Sequence, residues 1–186
     1  MRVTPTAIPE VLHVEPRVFG DARGFFVETF NAQRYAEHGI TAAFVQDNTS
    51  RSAPGILRGL HLQNPHGQGK LVWVLEGSVL DVAVDARIGS PTFGQHVAMT
   101  LDAERKNQLW IPPGFAHGFC VLEGPALFVY KCTELYHPET EITLAWNDPD
   151  LGIDWPLAEP VLSEKDRVGQ RLRDIDPARL PRWEGA

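Results

Sequence analysis

Short runs rich in Val, Leu, Phe and Trp alternate with Gly, Pro, Asn and Asp from the N-terminus to about Trp155, the rhythm of an all-β sandwich or barrel. Residues 71–75 read as a buried strand, Glu76-Gly77-Ser78 as a turn, and residues 79–85 as the hairpin partner. In that partner Leu80, Val82 and Val84 share one face, and Asp81 and Asp85 the other. Residues 128–136 read as a further strand whose period of two sends Phe128, Tyr130, Cys132, Glu134 and Tyr136 to one side. Two tyrosines therefore look into one space. Helical signals are confined to residues 31–38, stopped by Gly39, and to residues 163–175. Beyond Asp176, with Pro177, Pro181 and the terminal Gly185-Ala186, an irregular strap on the outside of the barrel is expected. No repeat or linker interrupts the pattern, so residues 1–186 read as a single domain.

Composition narrows this picture. A chain of 186 residues with 43% hydrophobic positions can bury one sizeable core but hardly two. A formal net charge of -7 argues against nucleic-acid or anionic-membrane partners, which require a surplus of Lys and Arg. The N-terminal residues 1–13 lack an apolar run of signal-peptide length, and Pro5 and Pro9 interrupt them. The longest apolar stretches, residues 71–75 and 126–130, fall far short of the roughly 18 residues that span a bilayer. Only Cys120 and Cys132 occur, too few for a disulfide framework, and a reduced, cytoplasmic protein is expected.

Missing motifs restrict the chemistry further. No Gly-x-Gly-x-x-Gly opens a helix, no Gly-rich loop ends in Gly-Lys-Ser/Thr, and no Gly-x-Ser-x-Gly elbow occurs. Acid–base or metal chemistry remains. Of seven histidines, two stand in informative settings: His61 in Arg58-Gly59-Leu60-His61-Leu62-Gln63, and His117 after Pro112-Pro113-Gly114-Phe115-Ala116. The second setting resembles half of the cupin signature, Pro-x-Gly followed by His. In metal-binding cupins the other half supplies two histidines and a glutamate. Here Gln63 takes the second histidine's place and Lys70 stands near the carboxylate's, so no metal is expected.

Taken together, the motifs resemble the dTDP-4-dehydrorhamnose 3,5-epimerase family across nearly the whole chain. The resemblance is carried by Gly20-Asp21-Ala22-Arg23-Gly24 with Glu28, by Gln46-Asp47-Asn48, by the Arg58-to-Gln63 hexad, and by Asp81-Val82-Ala83-Val84-Asp85 leading into Ser90-Pro91-Thr92-Phe93-Gly94. It continues through the His117 motif, Tyr130-Lys131-Cys132-Thr133 with Tyr136, Glu141, Trp146-Asn147-Asp148-Pro149 and Leu162-Ser163-Glu164-Lys165-Asp166. The chain departs from the commonest pattern at Leu62, Trp73 and Leu80, positions that bear on pocket shape.

The resemblance implies a cupin-type double-stranded β-helix, a jelly-roll barrel, with short helices near the N- and C-terminal parts. It implies a dTDP-linked 4-keto-6-deoxy sugar as substrate, inversion at C3 and C5, no cofactor, and a homodimer in which strand exchange at the N-terminus contributes. Inverting a carbon beside a ketone needs a base, a group that holds the enolate oxygen, and an acid on the opposite face. His61 is implied as the base, and a histidine's reference pKa of roughly 6.5 suits that task. Asp166 would orient the imidazole, although Ser163 three residues earlier also makes it part of a helix-capping pattern. Lys70 would stabilise the enolate, and Tyr130 would act as general acid.

Arg23, Arg58 and Lys165 resemble the family's diphosphate and nucleotide contacts. Glu28, Gln46, Asn48, His117, Tyr136 and Glu141 match other substrate-binding positions. Bland readings stand beside these: a core histidine, a solvated lysine, a packed tyrosine, ordinary surface arginines. Strict alternation would also put Arg58 and His61 on opposite faces, so either Gly59 bends the strand or Arg58 reaches in from a loop. Competing functions are a single-centre epimerase of a modified-sugar pathway, a metal-dependent cupin, and a non-catalytic sugar-nucleotide-binding cupin.

Overall fold

The computed structural model describes residues 1–185; Ala186, the end of the expected strap, lies outside the described residues. Eleven strands and two short α-helices, with three single-turn 3-10 helices, make up the regular structure of the described residues. The strands and α-helices are β1 (Arg2–Pro5), β2 (Leu12–Glu15), β3 (Val18–Asp21), β4 (Gly24–Val27), α1 (Ala32–Ala36), β5 (Gln46–Ser52), β6 (Leu57–Gln63), β7 (Lys70–Asp85), β8 (His96–Asp102), β9 (Gln108–Ile111), β10 (Phe115–Cys132), β11 (Glu141–Thr143) and α2 (Glu164–Arg167). No helix among them is long and apolar enough to cross a membrane.

Two long strands organise the barrel. The first part of β7 lies between β9 and the last part of β10, which in turn pairs with β5. The last part of β7 lies between β8 and the first part of β10, followed by β6 and β11. Thus β7 and β10 belong to both walls of the jelly roll, and each bends where it passes from one to the other.

This corrects the hairpin expected at residues 76–78. Strand β7 does not turn back there; it bends at Gly77, whose φ of +70° suits a residue without a side chain. A Cβ at that point would lie 2.4 Å from the Glu123 carbonyl oxygen, so the bend brings β7 hard against β10. Side-chain parity records the extra residue that a bulge inserts. Val72 and Val74 face the interior before the bend, whereas Val79 and Ala83 do so after it. The same switch occurs in β10, between Val121 and Ala126, opposite the register shifts of that pair.

Three apolar clusters explain why these strands read as unbroken hydrophobic runs: both faces are covered. The barrel interior holds Val72, Leu101, Leu109, Phe119 and Phe128. On the outside of one wall, Leu71, Trp73 and Trp110 pack beneath Tyr35 of α1 and Ile40. On the outside of the other, Leu60, Leu62, Val82 and Val84 lie beneath Leu172, Ile175 and Leu180 from the C-terminal segment. Each such side chain contributes roughly 1.5–3 kcal/mol by leaving water. Cys120 and Cys132 are both free and buried in β10, used as small apolar fillers.

The helices are shorter than expected. Helix α1 is capped by Asn31, which accepts from the Arg34 N–H, and the chain leaves it through Gly39 at φ +87°. The expected helix over residues 163–175 is cut to one turn, α2. Gln170 instead bridges Leu144: its N–H donates to the Thr143 carbonyl at 3.0 Å, and the Gln170 carbonyl accepts from the Ala145 N–H at 2.7 Å. With the Gln170 N–H given to Thr143 instead of to the carbonyl four residues back, the helix does not continue, and a Cβ at Gly169 would lie 2.7 Å from the Leu144 oxygen, so the two segments touch backbone to backbone. Beyond it, the strap from residue 176 is pinned by hydrogen bonds between Ile88 and both Pro181 and Trp183.

Candidate active site

Where the apolar filling of the barrel stops, polar side chains of interior parity take over and line a cavity of about 760 Å³. His61 and Gln63 come from β6, Lys70 from β7, His117 from β10's first half, Tyr130 from its second half, and Gln46 and Asn48 from β5. Arg58, Tyr136, Glu141, Lys165 and Asp166 complete the wall.

Arg58 and His61 both reach this cavity because β6 is bulged. His117 stands opposite His61 and Phe119 opposite Arg58, so a step of three residues on β6 matches a step of two on β10. The crossing is tight: a Cβ on Gly59 would lie 2.6 Å from the Gly118 Cα, and Gly59 has φ +120°. Strand bending is therefore the arrangement that brings Arg58 in. Its Nε donates to the Ser52 hydroxyl at 2.9 Å.

His61 and Asp166, 105 residues apart in sequence, meet at 2.6 Å through Nε2 and Oδ1. The carboxylate is 3% exposed, while the imidazole keeps an open side toward the cavity. Asp166 contacts His61 and the capping Ser163 at once. Its N–H donates to Oγ of Ser163, the N-cap of α2, at 3.2 Å, and Ser163 Oγ donates to its Oδ2 at 2.7 Å. Burial pushes this carboxyl up, but the hydrogen bonds from His61 and Ser163 outweigh it and hold the group below the usual carboxylate range. An ionised Asp166 fixes the imidazole's orientation.

Lys70 is buried and forms no ion pair among the described residues. Burial pulls its ammonium below the usual lysine range, against the opposing fields of Cys132, Glu141 and Asp81. Tyr130 is raised, chiefly by burial, and so stays protonated at neutral pH. A second imidazole–carboxylate pair stands beside the first: His117 Nε2 lies 2.9 Å from Asp81 Oδ2, both residues buried. Asp81 was legible as one of two acids on a face of β7, but not as the partner of His117, because that pairing depends on register between distant strands. At the cavity mouth Glu141 accepts from Lys165 Nζ at 2.7 Å and from the Tyr136 hydroxyl at 3.3 Å.

Tyr136 arrives by a different route from the one expected. Strand β10 ends at Cys132, so the alternation that places Phe128, Tyr130 and Cys132 does not extend to Glu134 and Tyr136. A turn carries Tyr136 to the rim, where it is half exposed.

Two expected binding residues lie elsewhere. Arg23 sits in the exposed β3–β4 hairpin, paired with Asp21 and outside the cavity lining. Glu28 is bound to Arg34 at 2.7 Å, also outside that lining. Both belong to a hairpin and connection that pair with nothing else in the main sheet of the same chain. As for a metal, no three His, Cys, Asp or Glu side chains converge among the described residues. Gln63, on the second-histidine position of the cupin signature, spends its amide on backbone groups instead.

Known proteins share this architecture. A family model described as dTDP-4-dehydrorhamnose 3,5-epimerase matches residues 5–174. A curated dTDP-4-dehydrorhamnose 3,5-epimerase of Pseudomonas aeruginosa is 57% identical over 178 residues, 95% of this chain and 98% of the relative. The solved dTDP-6-deoxy-D-glucose-3,5-epimerase of Legionella pneumophila, in complex with dTDP-4-keto-L-rhamnose, superimposes with a TM-score of 0.96 at 56% identity, covering 99% of each chain. A 3′-monoepimerase from Streptomyces bikiniensis in complex with dTDP-quinovose is more distant, with a TM-score of 0.89 and 35% identity over 96% of this chain and 92% of that one. With a matching family model over most of its length, and with relatives this similar from end to end, the chain belongs to the dTDP-4-dehydrorhamnose 3,5-epimerase family of cupin-type β-proteins.

Proposed function

We propose that this protein inverts C3 and C5 of dTDP-4-dehydro-6-deoxy-D-glucose, giving dTDP-4-dehydro-L-rhamnose, by proton removal and return without a cofactor. The observation that carries the reading is the His61–Asp166 pair opening into the same cavity as a buried, unpaired Lys70 and a protonated Tyr130.

His61 takes the proton from the carbon beside the ketone, and Asp166 stabilises the imidazolium that results. Negative charge moves to the C4 oxygen, where the Lys70 ammonium, held in a water-poor site, is worth several kcal/mol. Tyr130 then delivers a proton to the other face. The two groups belong to different walls of the barrel: His61 lies beside the first half of β10 and Tyr130 is part of its second half, which supports attack from opposite sides. Arg58 and Lys165 serve the diphosphate, and Tyr136 offers the nucleotide base a flat, half-exposed ring at the rim. Gln46, Asn48, His117 and Glu141 supply the remaining polar contacts.

The protein acts as a homodimer in this reading. Phe25 and Phe26, 63% and 67% exposed, form an apolar hairpin around Arg23. Pairing across a two-fold axis would cover that surface and give Arg23 and Glu28 a site on the partner.

Incubation with the 4-keto-6-deoxyglucose nucleotide in heavy water tests the reaction. Deuterium should appear at both C3 and C5 of an L-rhamno product. Label at one centre alone would mark a single-centre epimerase, the activity carried by the Streptomyces bikiniensis relative's name, and binding without label would mark a non-catalytic module.

A further inference from the structure

Tyr136 lies beyond the end of β10, so no strand ladder fixes the turn that carries it. Two glutamine side chains do so instead. Gln46 Oε1 accepts the Tyr136 N–H at 2.9 Å. Gln63 Oε1 accepts the His137 N–H at 3.0 Å, and its Nε2 donates to the Leu135 carbonyl at 3.1 Å and to the His66 carbonyl at 2.8 Å. Gln63 is the last residue of β6, 4% exposed, two residues beyond His61 on the same face. Its oxygen and nitrogen are both committed, and they tie the loop after β6 to the turn after β10.

We propose that Gln63 is a positioning residue for nucleotide binding: from a rigid strand of the catalytic wall it clamps residues 135–137 and so sets the Tyr136 ring at the cavity rim. The inference rests on the reading of Tyr136 as a contact for the dTDP moiety. On a cupin metal-ligand position, the glutamine amide bridges two loops, which neither a histidine nor an apolar residue can do with three backbone groups at once. A buried amide whose partners are all backbone has little freedom to adjust, so its loss releases the turn while leaving the His61–Asp166 pair, held from α2, in place.

Gln63→Met keeps the volume and removes every one of these hydrogen bonds. Its dissociation constant for dTDP and its KM should rise roughly tenfold, with kcat within about threefold of wild type. In a Tyr136→Ala background the same change should add less than about twofold, because the ring to be positioned is gone. Hydrogen exchange supplies a readout that needs no ligand: the amides of Tyr136 and His137 should exchange at least tenfold faster in Gln63→Met. Should that variant not fold, Gln63→Glu, which keeps the acceptor for His137 and loses both donations, must show the same KM-against-kcat split. Unchanged exchange at residues 136–137, a fall in kcat matching the rise in KM, or losses that add in full in the double variant would each overturn the clamp. If the wild type binds no dTDP, the nucleotide reading fails, and the exchange rates still decide whether Gln63 holds the turn.

Discussion

At the scale of single residues, the site separates groups that make charge from groups that hold it. Asp166 is kept ionised by two donors, Lys70 is stripped of water without being given a partner, and Tyr130 is kept protonated by burial. For Asp166 and Tyr130 the environment favours the form that the step requires, whereas burial works against a free Lys70 ammonium and so strengthens its pull on a negative charge that develops beside it. Tyr130→Phe keeps the ring and deletes only the O–H, so enolate formation by His61 should survive while delivery from the opposite wall fails. In heavy water this variant should take up deuterium with configuration retained, faster than it forms inverted sugar, and inversion should fall roughly 100-fold or more. Inversion at the wild-type rate would give the acid role to another group, Tyr136 or water first among them.

At the scale of elements, bulges decide what reaches the cavity. Local alternation is readable from sequence, and it correctly put Tyr130 and Cys132 on one face and separated Leu80, Val82 and Val84 from Asp81 and Asp85. What alternation lacks is any record of an inserted residue. The bend at Gly77 therefore made one long strand read as a hairpin, and the Gly59 bulge made Arg58 and His61 look incompatible. Gly59→Ala tests this crossing. The new Cβ would meet the Gly118 backbone at 2.6 Å in a backbone conformation closed to alanine, at a cost of roughly 2–3 kcal/mol. Gly152→Ala, also at positive φ but with nothing within 4 Å, should lose only about 1 kcal/mol. Thermal or urea unfolding compares the two, and equal losses would mean that the crossing is not tight in solution.

At the scale of the whole molecule, one chain places eleven of its thirteen expected site residues around the cavity and leaves Arg23 and Glu28 on a hairpin outside it. If the hairpin serves a partner subunit, Arg23→Ala and His61→Ala proteins, each nearly inactive alone, should regain activity when refolded together. Mixed dimers would then assemble one intact site, approaching about a quarter of wild-type activity at equal amounts. No recovery would place Arg23 outside the site or in its own chain's. The sequence by itself determined the strand-rich class, the parity of most side chains within each strand, the chemical types available and, through joint motif spacing, the family. Those are properties of short stretches, where period two, glycine and proline act locally. The tertiary structure alone decided which residues meet: His61 with Asp166, His117 with Asp81, and Gln63 with the turn of Tyr136. It also set where α2 stops, because Gln170 gives its backbone groups to Thr143 and Ala145 instead of to a further helical turn. Pairing across a barrel depends on register between segments far apart in the chain, and one inserted residue changes that register without changing the local pattern on either side.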